Sequence, residues 1–162
     1  MTTKHHLKTF LNLPVLTSYG KNEIKRNSPH REPFLLVDEI RVLEEGKKYI
    51  GVYQARKEEY YFKGHFPGNP VMPGVLQVES MAQSFGAAVM HRVNQEHKYV
   101  PLFLSIEEAK FRGMVRPGDT VLIPLEVIRL GKISKGYAEA YVNGKLCAQA
   151  SFNFFLGESD HV

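Results

Sequence analysis

The sequence predicts an α+β domain in which one long helix is wrapped by a curved antiparallel sheet. Three features predict it. A single long stretch, Val75 to about Asn94, repeats its apolar residues at steps of three and four. Short apolar or alternating runs bounded by turn residues lie on both sides of that stretch. Two of the last runs meet at Asn143-Gly144, a dipeptide that suits a type I′ hairpin because both central residues must take positive φ. At 162 residues the chain is long enough for one domain with a real core.

Residues 1–29 read as an N-terminal arm, apolar from Leu7 to Leu16 and polar from Tyr19 to Ser28, expected to dock loosely and to hold one short helix. The domain proper takes residues 30–162. Phe34 to Leu43 starts apolar and then partly alternates, Glu45-Gly46-Lys47 supplies a turn, and Tyr49 to Tyr53 follows, which predicts strand, turn and strand. Glu58 to Pro73 holds three of the nine prolines and is expected to be loop. In the helical stretch Val75, Val78, Ala82, Phe85, Gly86 and Val89 mark one apolar face, and twenty residues at 1.5 Å each give a helix about 30 Å long. The small residues Ala82, Gly86, Ala87 and Ala88 let it lie close to a sheet. Strand signals return at Leu102 to Ile106 and, after the turn Val115-Arg116-Pro117-Gly118-Asp119, at Thr120 to Leu130. The final pair covers about Ser134 to Val142 and Lys145 to Leu156.

Hydrophobic residues at 43% and charged residues at 23% are ordinary for a globular protein and argue against disorder. The net charge of +4 is spread among acids, with no basic block and no nucleic-acid-binding motif, so an acidic protein partner fits the charge as well as nucleic acid does. The single cysteine, Cys147, excludes an internal disulfide and lies in an alternating apolar stretch that predicts a buried strand position. The apolar pieces near the N-terminus are short and broken by Asn12 and Pro14, which gives neither a secretory signal nor a membrane span. The expected location is the cytoplasm. His91 and His97 are not one helical turn apart, His5-His6 lies in the arm, and His65 has no clear companion ligand, so no metal is expected. Ser80 and Ser84 lie on the helix without an evident base, which argues against a serine nucleophile.

The chemistry lies in Gly64-His65-Phe66-Pro67-Gly68-Asn69-Pro70-Val71-Met72-Pro73-Gly74 and the helix that follows. Three prolines stiffen the loop that presents His65. Gly74 opens the helix, where backbone N–H groups have no intrahelical partner and favour negative charge. Glu79 sits in an apolar stretch that favours its neutral form and suits a general acid. Gln83, one turn on, can hold that carboxyl group. Taken singly, His65 also reads as a surface histidine, Gly74 as a turn glycine and Glu79 as an exposed helix glutamate. Together they can remove one proton, deliver another and stabilise an oxyanion between the two events.

Pro29-His30-Arg31-Glu32-Pro33-Phe34-Leu35-Leu36-Val37-Asp38, then Gly64 to Gln83, then Glu108-Ala109-Lys110-Phe111-Arg112 and Arg116-Pro117-Gly118-Asp119, closely resemble the 3-hydroxyacyl-(acyl carrier protein) dehydratases of bacterial type II fatty acid synthesis. The resemblance runs from about Ile24 to Phe155. It implies a hot-dog fold, a dimer pairing two sheets edge to edge or a trimer of such dimers, and active sites at the dimer interface. His65 matches the family's histidine from one subunit and Glu79 the carboxylate from the other. Gly74 matches the oxyanion-binding amide, Gln83 the residue supporting the carboxylate, and Val71 the position whose carbonyl orients the histidine. Glutamate at position 79 resembles the branch without double-bond isomerase activity. A cis peptide at His65-Phe66 is also implied. The expected reaction dehydrates a 3-hydroxyacyl chain on the phosphopantetheine arm of an acyl carrier protein, with no cofactor. Lys110, Arg112 and Arg116 are the basic residues expected to dock that acidic carrier. Thioester hydrolysis on the same fold and a non-catalytic carrier-binding subunit are the alternatives, and a specialised lipid or polyketide pathway could use the same dehydration. Glu32 replaces a more usual aromatic residue, the arm is longer than typical, and Val100 to Ser105 departs from the family pattern near the acyl tunnel.

Overall fold

A computed structural model describes residues 6–93 and 98–159, so the expected helix end at Asn94, His5, His97 and both chain termini lie outside the described residues. The elements are a 3₁₀ turn (His6–Asn12), β1 (Thr17–Gly20), α1 (Lys21–Asn27), β2 (Glu39–Glu44), β3 (Lys48–Gln54), the one-turn helix α2 (Tyr61–Gly64), α3 (Gly74–Val93), β4 (Tyr99–Phe111), β5 (Thr120–Arg129), β6 (Ile133–Val142) and β7 (Lys145–Glu158). The seven strands form one antiparallel sheet in the order β1-β2-β3-β5-β6-β7-β4. Helix α3 packs on one face of it through Val78, Met81, Ala82, Phe85, Ala88 and Val89, in the α+β arrangement that the residue pattern predicts and the hot-dog layout that the resemblance implies.

Helix α3 is buried over more of its circumference than one apolar stripe requires, because the segment before β2 covers a second flank. Ser80 Oγ donates to Leu36 O at 2.6 Å, and Leu36 N–H donates to Gln83 Oε1 at 2.7 Å. These two side chains satisfy both backbone groups of Leu36, so Phe34 to Asp38 lies outside the sheet and β2 begins only at Glu39, five residues later than the apolar run suggests. Val75, expected on the buried face, is 72% exposed since it precedes the covered turns. Close approach of α3 to the sheet depends on Gly51 of β3, where an added Cβ would meet the Ser84 Cβ at 2.6 Å. Gly51→Ala is therefore expected to lower stability by about 1–3 kcal/mol, read as a lower urea midpoint.

The arm is an integral part of the structure rather than a loose appendage. Leu7 and Phe10 are buried against Leu43 and Ile50 on the face of the sheet opposite α3, and the Leu7 N–H donates to the fully buried Glu139 carboxylate at 3.0 Å. β1 extends the sheet beside β2, and Ile24 of α1 enters the main core. Backbone pairing and two isolated apolar residues, Tyr19 and Ile24, anchor a run that its polarity marks as surface. Glu32 belongs to the same docking: Lys25 Nζ lies 2.7 Å and Lys21 Nζ 3.6 Å from its Oε1, and the Lys25 hydrogen bond holds its carboxyl down to about 2. The long arm and the unusual residue 32 are thus two sides of one contact.

Two further boundaries differ from expectation. The prolines of the 58–73 segment leave room for the four-residue α2, whose Tyr61 and Phe62 are buried. β4 extends well beyond Leu102 to Ile106, with bulges between Phe103 and Ser105 and between Glu107 and Lys110, and Glu108 at φ 52°. It tolerates Pro101 and these irregularities because it is an edge strand. Asn143 and Gly144 take φ of 49° and 75°, as their hairpin requires, and Cys147 is buried in β7.

Candidate active site

His65 leaves α2 and enters a loop that closes on itself. Phe66 N–H donates to Asn69 O at 3.0 Å and Asn69 N–H returns to Phe66 O at 2.9 Å, around Gly68 at φ 75°. The His65–Phe66 peptide is cis, and the two rings stack with centroids 4.0 Å apart. Val71 holds the histidine twice: its N–H donates to His65 O at 2.7 Å, and its carbonyl lies 2.7 Å from His65 Nδ1. A carbonyl can only accept, so Nδ1 carries the proton, and Nε2 is the ring nitrogen left to accept another.

Gly74 is the first residue of α3, so its N–H has no partner within the helix. A Cβ at this position would lie 3.0 Å from the Phe111 ring, so glycine permits β4 to close over the helix start. Glu79 stands more than a turn further along α3, its side chain 19% exposed. Gln83 Nε2 donates to Glu79 Oε1 at 2.9 Å and to Phe34 O at 2.8 Å, while Gln83 Oε1 accepts the Leu36 N–H. That third bond fixes which way the amide faces. Burial raises the Glu79 carboxyl above the ordinary glutamate range, with the Gln83 hydrogen bond opposing the shift. His30, which belongs to the Pro29 to Asp38 motif and carries no role predicted from its sequence, places Nε2 at 3.8 Å from the same Glu79 oxygen. A cavity of about 30 Å³ touches Glu79, His30 and Gln83 and ends on Pro101, Phe103 and Phe154.

Among the described residues, no hydrogen bond or ion pair joins His65 to Glu79 within the chain. Each is held by its own partners on its own element. The edge strand β4, which supplies Pro101 and Phe103 to the Glu79 cavity, exposes Leu102, Phe103, Leu104, Ile106 and Phe111 by 37–55%. A larger cleft of about 660 Å³ lies elsewhere, at the end of α3, between Val93, Leu130 and Phe155. Of the three basic residues expected to dock a partner, Lys110 and Arg112 are exposed on either side of Phe111, beside the Gly74 end of α3. Arg112 Nε donates to Gln149 Oε1 at 3.1 Å. Arg116 Nη1 donates to Asn69 Oδ1 at 3.1 Å and to Pro70 O at 3.4 Å, which ties it into the loop that presents His65. Among the described residues no cluster of three or more His, Cys, Asp or Glu could hold a metal ion, and no helix is long and apolar enough to cross a membrane.

The sequence model of the FabA-like domain family matches residues 28–151. The 3-hydroxyacyl-(acyl carrier protein) dehydratase FabZ of Desulforamulus reducens is 46% identical over 138 residues, 85% of this chain and 96% of that protein. FabZ of Caldicellulosiruptor saccharolyticus is 46% identical over 139 residues, 85% of this chain and 99% of its own. Among solved structures, the dehydratase heterocomplex ApeI:P of Xenorhabdus doucetiae superposes with a TM-score of 0.71 at 14% identity, over 85% of this chain and 92% of that one, a likeness of fold. The chain belongs to the FabA-like family, among the 3-hydroxyacyl-(acyl carrier protein) dehydratases of the FabZ type.

Proposed function

We propose that the protein dehydrates (3R)-3-hydroxyacyl chains on acyl carrier protein to trans-2-enoyl chains in fatty acid biosynthesis, at a site built from His65 of one subunit and Glu79 of the other. One observation supports the two-subunit reading: among the described residues, His65 and Glu79 are held by separate bonds with none joining them, while the strand beside Glu79 stands at the end of the sheet and exposes Leu102, Phe103, Leu104 and Ile106. Such an edge invites pairing with a second copy. The assembly is a homodimer or a trimer of dimers, and the carrier protein places it in the cytoplasm.

His65 Nε2 takes the C2 proton, which the thioester acidifies, and the C2 electron pair moves toward the carbonyl. The Gly74 N–H stabilises the charge that develops on the thioester oxygen. Glu79 gives its proton to the C3 hydroxyl as the C3–O bond breaks, and water leaves. His65 ends with one proton more and Glu79 with one fewer, so passage of that proton between them restores the site. No electrons are transferred, and no redox cofactor enters.

Lys110 and Arg112 flank the Gly74 end of α3 and suit an acidic carrier. Lys110→Glu is expected to raise KM several-fold for the carrier-borne substrate, leave it unchanged for a short pantetheine thioester, and flatten the salt dependence of the former. The activity itself is tested by incubating the protein with 3-hydroxyacyl carrier protein and following mass. Loss of one water supports dehydration; free acid indicates thioester hydrolysis instead.

A further inference from the structure

We propose that His30 is a positioning residue for Glu79, acting as a second N–H donor to Oε1 so that the acid proton is confined to Oε2 and kept for the substrate. The inference rests on the reading of Glu79 as the general acid. It starts from an asymmetry in the carboxyl group. Gln83 Nε2 at 2.9 Å and His30 Nε2 at 3.8 Å both address Oε1. An oxygen that accepts N–H bonds is the carbonyl-like oxygen of a protonated acid, so the hydroxyl belongs on the other one.

The surroundings of His30 fit that part. Its Nδ1 lies 2.9 Å from the Oγ of Ser28, a residue only 4% exposed. With that hydroxyl donating, Nδ1 accepts and the ring proton sits on Nε2, toward Glu79. Ser28 is itself tied down, since its carbonyl accepts from Arg31 Nη1 at 2.8 Å. Burial, and then the Arg31 charge, push the His30 pKa below the usual histidine value and keep the ring neutral. Neutrality matters, because an imidazolium here would stabilise the Glu79 carboxylate and deprive the reaction of its acid. Among the described residues, Arg31 is the charge that acts on His30, and Glu79 is the titratable group its Nε2 faces. Ala82, Gln83, Pro101, Phe103 and Phe154, which complete the cavity wall, carry no charge. The 3.8 Å separation is long for a hydrogen bond, and contacts of this kind shorten when substrate fills the site.

The test compares His30→Gln and His30→Leu with wild type in kcat, KM and the pH profile of dehydration. A glutamine amide can present N–H near the Nε2 position; leucine cannot. His30→Leu is expected to lose about 10- to 100-fold in kcat, the range for a hydrogen bond to a charged group, with KM little changed. The alkaline limb of its profile moves to higher pH, since removing a donor from the carboxylate raises the Glu79 pKa. His30→Gln retains most of kcat and the wild-type limb. Wild-type kinetics in His30→Leu overturn the proposal. Equal losses in both variants with an unmoved limb also overturn it, since they mark a purely structural residue. Glu79→Gln is assayed alongside: full activity there removes the general-acid reading itself, whereas an inactive Glu79→Gln beside a normal His30→Leu removes only the role of His30.

Discussion

Glu79→Gln is expected to leave a folded oligomer whose dehydration rate is lower by about 10²- to 10⁴-fold, the contribution of a positioned general acid. Glutamine keeps the shape of the side chain and an oxygen for the Gln83 N–H, so under the proposed mechanism what the variant loses is the proton destined for the C3 hydroxyl. Stability supplies an independent check. Burial lifts the Glu79 pKa above its ordinary 4.5, so the folded protein holds this proton more tightly than the unfolded chain does. The resulting stabilisation is fully present below the ordinary value and is lost as pH rises through the raised one. Glutamine has no such loss. The melting temperature of Glu79→Gln should therefore match or exceed that of wild type at neutral and alkaline pH, and its advantage should shrink on acidification. A variant that is both inactive and less stable at pH 8 would place Glu79 among structural residues.

His65→Ala is expected to cost a similar factor of about 10² to 10⁴ in kcat through loss of the base. The Val71 carbonyl that fixes the ring is a backbone group and survives the substitution, as do the Phe66–Asn69 bonds that close the loop. The loop should therefore keep its form, and substrate binding should change far less than turnover. Single-turnover measurements with carrier-borne substrate separate the two quantities. Unchanged chemistry in the bound complex would remove His65 from the proton transfer.

How far these residues were legible depended on the kind of signal each one left. The three-and-four spacing from Val75 to Val89 marked α3 even though Val75 itself is exposed, and Asn143-Gly144 marked the last hairpin, because both depend on local backbone geometry. Phe34 to Asp38 misled, since a run of apolar residues looks the same whether a neighbouring strand or two helix side chains satisfy its backbone, and here Ser80 and Gln83 do so. The arm misled for a related reason: strand pairing costs no apolar residues, and Tyr19 and Ile24 are too few to form a pattern. More than half of β4 was hidden because an edge strand tolerates charge and proline. His65, Gly74 and Glu79 stood out through the rigid loop and helix start that carry them. His30 left no periodic or spacing signal toward Glu79; only the folded path of the 28–38 segment across α3 brings the two together. Arg116, expected as a docking residue because the resemblance implies an acidic carrier, also donates to Asn69 through a long-range contact that spacing does not reveal.

The claim that His65 and Glu79 act across a subunit boundary has a direct test. His65→Ala and Glu79→Gln protomers, each inactive alone, are mixed and allowed to exchange subunits, and dehydration is measured. In a symmetric dimer, each mixed pair contains one site with both substitutions and one with neither. Random exchange makes about half of all dimers mixed, so the two-subunit site predicts recovery of about one quarter of wild-type activity. No recovery in a preparation shown by mass spectrometry to contain mixed dimers would contradict it, and would return both residues to a single chain.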